Sequence, residues 1–557
     1  MFAAQAEHLG PRPLFKAKQE GEYRSISWEE ALRQSEEAAL GLIDLGIQPG
    51  DRVAILSENR PEWAIADLSI LSAGAITVPI YATLAAGEIE YILKNCGARL
   101  LFASSPDLMG KVVHLQKELD LKIVLFDAPY RVSGPRVWWF GELLGLGGTA
   151  TAEHRRELAQ RIEQAKPEEA ASIIYTSGTT GSPKGVILTH SNFLSNCRAV
   201  EEVIPIGQQD TLLSFLPLSH VFERMAGYYF VLSVGGTIAY AENLEAVPKN
   251  LLETRPTVFT GVPRFYEKMH ERILEAVGQA SPVRRALFHW AFRVGRGRSL
   301  KQRIADRLVF SKLRARLGGN LRFCVSGGAP LSKTIAEFFY TTGILILEGY
   351  GLTETSPVIT CNRLDRFRFG TVGLAVPGVE IQIAGDGEIL TRGPHVMQGY
   401  FQNPSATAEV IGPEGWFHTG DIGALDSDGF LTITDRKKDL IKTSGGKMVA
   451  PQKLEAALKA DPLIADCVVI GDQRKYLTAL IVLNAEKLEP GRHPEVTALV
   501  WERVEQFNRT LAPFEQIKKI TLLPEPFTLG SGELTPTLKV KRRVVQERYA
   551  AQIEAMY

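Results

Sequence analysis

Short, continuously apolar runs alternating with helical patterns constrain this chain more than any other feature. RVAILSEN, RLLFASS, KIVLFDA, ASIIYTSG, TLLSFLP, PTVFTGVP, LRFCVSGG and ILILEGYG are rich in Val, Ile, Leu and Phe. Several lead into segments with a helical apolar period, such as PEWAIADLSILSAGA, SNFLSNCRAVEEVI, RFYEKMHERILEAV and LSKTIAEFFYTTG. Strands apolar on both faces must be covered on both, as they are in parallel sheets under helices. The rhythm predicts an α/β fold of stacked layers with largely parallel sheets. From about residue 370 the texture changes. GVEIQIAGDGEILTRGP and DGFLTITDR read as short strands punctuated by Gly and Asp, a small β-rich lobe. After Arg436 the pattern becomes helix–strand–strand (KLEAALKA, DCVVIGD, TALIVLN), then a long helix (EVTALVWERVEQFNRTL) and a short basic strand (TLKVKRR). A domain boundary is expected near residues 436–438.

The 557 residues are enough for several cores, roughly two to four domains or lobes. Lys+Arg and Asp+Glu both number 63, so there is no charge footprint for non-specific nucleic-acid binding. Cys96, Cys197, Cys324, Cys361 and Cys467 are scattered and free of CxxC spacing. They read as reduced residues of a cytoplasmic protein, not as a disulfide framework or a zinc site. MFAAQAEHLG lacks the basic and apolar regions of a secretory signal. The most apolar long stretch, VFERMAGYYFVLSVGGTIAY, is interrupted by Glu223 and Arg224 and predicts a buried helix followed by a strand, not a membrane span.

The most informative stretch is YTSGTTGSPKGVILTH, residues 175–190. A buried strand enters a loop containing Thr176, Ser177, Gly178, Thr179, Thr180 and Gly181, and a helix is expected after it. Glycines let the backbone curl so that several N–H groups converge on one anion. The hydroxyls add donors, and Lys184 adds a mobile positive charge. This is a triphosphate cradle, but not a Walker A loop, because Pro183 precedes the lysine and Gly185 follows it.

The loop resembles the phosphate loop of the acyl-adenylate-forming (AMP-binding) superfamily. EGYGLTETSP (348–357) is similar to that family's adenine and magnesium motif, and GWFHTGD (415–421) to its ribose motif. DRKKDLIKTSGGK (435–447) resembles its hinge and following strand–loop, and LTPTLKVKRR (534–543) the site of its C-terminal lysine. The resemblance spans roughly residues 24–546 and implies a large N-terminal domain, 1–437, plus a smaller mobile domain, 438–557.

Each motif also has a physical reading. Tyr350, beside Gly351, offers a flat face for a purine. Thr353 can donate to the α-phosphate, and Glu354 is a hard oxygen ligand suited to Mg²⁺. The SGGAP run (Gly327, Gly328, Ala329) allows close backbone approach, and the family uses it as an adenine wall. The Asp421 carboxylate can accept from two vicinal ribose hydroxyls, with Arg436 within reach. The resemblance implies a hinge at Lys438 and a catalytic lysine at Lys539, where Leu538 replaces the family's frequent glycine. Gly445 and Gly446 read either as a passage for pantetheine or as a tight turn. His220 is either at the junction of the carboxylate and pantetheine sites or a satisfied core histidine. Lys541, Arg542 and Arg543 stand open as a surface or CoA-phosphate patch.

LPLSHVFER and RPTVFTGVPRFYEK are similar to the long-chain fatty acyl-CoA synthetase branch. Val221, Phe222, Tyr228, Tyr229, Val258 and Val262 are expected to wall an alkyl pocket. Arg224 either steers a carboxylate or pairs with Glu223 or Glu267. The implied reaction joins a fatty acid to coenzyme A through acyl-AMP, with ATP as co-substrate and Mg²⁺ as cofactor. The basic helical segment ALFHWAFRVGRGRSLKQRIADRLVF reads as a solvated helix pair, with peripheral contact at the inner membrane face or with CoA phosphates as the alternatives.

Overall fold

The computed structural model describes residues 1–127, 136–176, 183–297, 299–461, 463–484, 493–528, 530–535 and 540–557. It is an α/β protein with a large N-terminal domain and a smaller C-terminal one. Two large sheets dominate the first. One has eight strands, in the order Gly399–Tyr400, Lys184–Thr189, Ala170–Thr176, Ile76–Ile80, Arg52–Leu56, Leu100–Ala103, Lys122–Leu125 and Val137–Trp139. From Ala170–Thr176 onward its strands pair in parallel. The other has nine, with a parallel centre of Ile346–Gly351, Phe323–Ser326, Val258–Gly261, Thr211–Ser214 and Thr237–Tyr240. The apolar runs of the sequence are these strands, and a single core joins residues from both sheets, including Phe102, Leu212 and Phe323, with Trp63 from the helix Pro61–Ser72.

Helix ends follow local chemistry. The Ser27 hydroxyl accepts from Glu30 N at 3.2 Å to start the helix Trp28–Asp44. Gly97, at φ 63°, ends Ala86–Cys96. Thr189 and Asn192 cap one another at the start of His190–Glu201, by bonds of 3.2 and 2.9 Å.

The β-rich lobe is a four-stranded antiparallel sheet of Glu380–Ile383, Glu388–Arg392, Phe417–Leu425 and Leu431–Arg436. Beyond it, Ile464–Ile470, Leu477–Leu483 and Ile517–Leu523 form a three-stranded sheet. Helices Pro451–Leu458 and His493–Asn508 share an apolar core with it.

Two expectations need correction. The helix expected after Gly181 is instead the strand Lys184–Thr189, paired antiparallel with Ala170–Thr176. TLKVKRR is not one basic strand, because a helix begins at Arg542. The apolar stretch after His220 is a buried helix leading into the strand Thr237–Tyr240, as expected, and it contains a π-helical turn at Glu223–Tyr229. All five cysteines are buried and free of disulfides. Among the described residues no helix is long and apolar enough to cross a membrane.

Candidate active site

A cleft of roughly 2490 Å³ runs between the two domains and into the larger one. Thr176, Lys184, His220, Val221, Phe222, Val258, Val262, Gly327, Gly328, Ala329, Tyr350, Gly351, Thr353, Glu354, Asp421, Arg436 and Lys438 all border it. Ser177, Gly178, Thr179, Thr180, Gly181 and Lys539 lie outside the described residues.

The strand Ile346–Gly351 delivers the polar end. A Cβ on Gly351 would sit 1.6 Å from the Pro357 carbonyl oxygen, so only glycine lets the chain turn there. The turn is closed by Leu352 N donating to Thr355 Oγ1 at 2.9 Å. It places Glu354 where Tyr400 donates its hydroxyl to Oε1 at 2.8 Å. Lys184 Nζ lies 4.8 Å from the centre of the same Tyr400 ring, a cation–π contact. Tyr400 therefore holds a lysine on its face and a carboxylate at its tip. Nothing local in the sequence marks it; it arrives by pairing with Val186 across the sheet edge.

The second cluster is Tyr350, Asp421 and Arg436. Asp421 and Arg436 face one another on neighbouring antiparallel strands, with Arg436 Nε 3.5 Å from Asp421 Oδ1. Tyr350 donates to Asp421 Oδ2 at 2.7 Å. Burial, reinforced by the Asp421 charge, raises the Tyr350 phenol well above its ordinary range, so it stays a donor. Glu348, two residues earlier, is pushed up to about 7 by burial, against a bond from Leu331 N at 3.3 Å.

The other end of the cleft is apolar. Val221 and Phe222 border it, and Phe222 N donates to His220 Nδ1 at 3.2 Å, fixing that ring at the helix start. A Cβ on Gly327 would meet the Phe222 ring at 3.0 Å, and Gly328 sits at φ 82°. The double glycine thus lets the backbone pass an aromatic wall. Tyr228 and Tyr229 do not line this pocket. They turn into the core, where Tyr228 donates to Ala64 O at 3.1 Å and Tyr229 to Asp67 Oδ2 at 2.7 Å. Met225, Ala226 and Phe230 border the cleft from that helix instead.

Arg224 is neither at the mouth nor paired with Glu223 or Glu267. It is fully buried and bonded to Asp67, to Ser172 Oγ at 2.6 Å and to Tyr229 at 2.9 Å. Glu223 points the other way, accepts from Thr260 at 2.9 Å, and is pushed up to about 7 by burial.

On the C-terminal side, Lys437 bonds Asp386 and Glu388 at 2.7 and 2.8 Å, while Lys438 is exposed. Thr535, Val540, Lys541 and Arg543 border the cleft. Arg542 is committed to Glu455 at 2.6 Å and to Val469 O at 2.7 Å, so TLKVKRR is not one free cationic patch. Gly445 and Gly446 are exposed in a turn closed by Thr443 N to Lys447 O at 2.9 Å, and do not border the cleft.

Residues 2–401 match the family described as AMP-binding enzyme, and residues 438–557 its C-terminal domain. A Mycobacterium bovis protein named long-chain-fatty-acid–CoA ligase FadD15 is 40% identical, over 97% of this chain and 93% of its own. The Arabidopsis thaliana peroxisomal long chain acyl-CoA synthetase 6 is 33% identical, over 96% and 82%. Among solved structures, ATP-bound MatB from Rhodopseudomonas palustris superposes with a TM-score of 0.75 at 25% identity, covering 98% of both chains. The anthranilate CoA ligase AuaEII with anthranoyl-AMP gives 0.78 at 22%, covering 100% of this chain and 97% of its own, which supports the fold alone. The chain belongs to the AMP-binding enzyme family.

Proposed function

We propose that this protein is a long-chain fatty acid–CoA ligase that forms acyl-AMP from ATP and then passes the acyl group to coenzyme A. The observation that carries this reading is one continuous cleft. It joins the Lys184–Tyr400–Glu354 and Tyr350–Asp421–Arg436 clusters to an apolar pocket walled by Val221, Phe222, Met225 and Phe230. A fatty carboxylate held by its alkyl tail attacks the α-phosphate in line and expels pyrophosphate. Positioning and charge neutralisation are sufficient catalysis, and no protein nucleophile is needed. In the second step the CoA thiolate attacks the mixed anhydride, releasing AMP.

Tyr350 stacks on the adenine, Asp421 accepts from the ribose hydroxyls, and Lys184 and Thr353 serve the phosphates. Among the described residues no three His, Cys, Asp or Glu side chains gather as a metal site. Glu354 is a single carboxylate facing the cleft, which fits Mg²⁺, an ion that takes one or two carboxylates beside substrate phosphates. When bound, Mg²⁺ would supply neutralisation of phosphate charge.

The chain divides at Lys438 into domains 1–437 and 438–557, and the smaller one rotates about that residue between the steps. Residues 540–543 border the cleft and Gly445–Gly446 do not, which supports reading this orientation as the adenylation one. The basic segment between Arg284 and Arg316, with eleven Lys and Arg against one acid, Asp306, is the part of the surface suited to an anionic membrane. It also exposes Leu300, Ile304 and Leu308.

Two half-reaction assays test the proposal: ATP–pyrophosphate exchange with acids from acetate to oleate, and conversion of synthetic acyl-AMP with CoA. Long-chain acids should give the highest kcat/KM. Lys539→Ala should lower exchange by ~10²–10³ and spare the second assay. Preference for acetate, or near-normal exchange in Lys539→Ala, refutes the reading.

A further inference from the structure

The first turn of the helix Pro263–Gly278 touches three parts of the machinery at once. Val262, just before it, borders the acyl end of the cleft and lies 3.9 Å from where a Cβ on Gly328 would be. Tyr266 is fully buried and donates to Val325 O at 2.9 Å, pinning the helix to the strand that feeds the glycine turn. Between them Arg264 reaches the other domain, where Nη1 donates to Asp466 Oδ2 at 3.1 Å.

Asp466 is a prepared acceptor. Its side chain is only 4% exposed, its Oδ1 accepts from Cys467 N at 3.1 Å, and Lys459 Nζ lies 3.8 Å away. One helical turn beyond Arg264, burial raises the Glu267 carboxyl, and the Lys459 charge opposes that rise. The Arg264–Asp466 pair therefore crosses the domain junction from the turn that also carries the pocket wall. A contact this desolvated is worth more than an exposed pair.

We infer that Arg264 is a positioning residue, which through Asp466 latches the C-terminal domain in its adenylation orientation. The inference rests on the two-orientation reading given above. Arg264 and Asp466 lie on opposite sides of Lys438 in the chain and remote from it, so rotation there must part them. Asp435 and Gln452, which also join across this region at 3.0 Å, flank the pivot and are less exposed to that motion. The latch touches no reacting atom, and its loss should cost only the step that needs this orientation.

The test uses the full-length protein with Arg264→Ala, Asp466→Asn, the double variant, Arg264→Lys, and Lys438→Pro in parallel. Each half-reaction is measured separately, and thermal midpoints confirm folding. Each single loss should lower adenylation about 10-fold and leave the second step within about 2-fold, as expected for a partly buried charge pair. The double variant should be no worse than either single, because one contact is lost once, and Arg264→Lys should recover part of the rate. Equal losses in both steps, or an additive loss of about 100-fold in the double variant, overturn the latch. If Lys438→Pro separates the half-reactions and Arg264→Ala does not, the latch falls and the rotating domain stands. If Lys438→Pro lowers both steps equally, the rotation and the latch fall together.

Discussion

Replacing Arg224 with methionine should unfold this protein before it disables it. Methionine keeps most of the stem volume among Trp63, Phe193 and Tyr229, whose rings lie 5.4 to 5.7 Å from the guanidinium carbon. It removes the cation from Asp67, which is 0% exposed and, among the described residues, keeps the Tyr229 hydroxyl alone. Breaking one side of a buried ion pair costs about 3–5 kcal/mol. Urea unfolding followed by tryptophan fluorescence reads this loss directly. Arg224→Met with Asp67→Asn should recover most of the loss, since no charge is left buried. Wild-type stability together with a raised KM for the fatty acid would refute the argument and return Arg224 to the role of steering a carboxylate.

Three other perturbations follow from the site. Glu223 is pushed up to about 7 from an ordinary 4.5 by burial, so the unfolded chain gives up that proton first and stability falls as pH rises between the two values. Glu223→Gln should cancel about 3 kcal/mol of that fall at 1.36 per unit, and an unchanged gap between variant and wild type in urea unfolding at pH 5 and pH 8 would show the carboxyl is not buried as described. Gly351→Ala forces a methyl onto the Pro357 carbonyl, a clash no side-chain rotation relieves. It should cost about 1–3 kcal/mol in stability and displace Glu354, so near-normal ATP–pyrophosphate exchange would contradict the geometry. Asp421→Ala should raise the KM for ATP about 10- to 100-fold by loss of a charged acceptor while leaving the KM for the fatty acid nearly unchanged, and a matched rise in both would mean a structural role.

Much of the fold is legible because a strand buried on both faces has little choice of residue. ILILEGYG and LRFCVSGG could hardly be surface elements, and they lie side by side in one sheet. The glycines of the site are legible for a related reason, since a Cβ would strike the Pro357 carbonyl at 1.6 Å from Gly351 and press on the Phe222 ring at 3.0 Å from Gly327. What escaped the sequence reading depends on partners far along the chain. The strand Lys184–Thr189 has the β-branched Val186, Ile187 and Thr189, but the expectation of a helix after an anion loop outweighed that local pattern. Arg224, Tyr228 and Tyr229 look like pocket residues on an ordinary helix beginning after His220. The π-helical turn Glu223–Tyr229, with its i→i+5 bonding, rotates the face and carries all three onto the helix Pro61–Ser72, where Asp67 and Ala64 wait about 160 residues away. Tyr400 and Asp466 are harder still. Neither sits in a recognisable pattern, and each acquires its role only when a sheet edge or a second domain brings Lys184, Glu354 or Arg264 within reach. Local sequence reports what a backbone position forbids, whereas a pairing partner is set by topology, and the residues that hold this site's charged groups in place belong to the second kind.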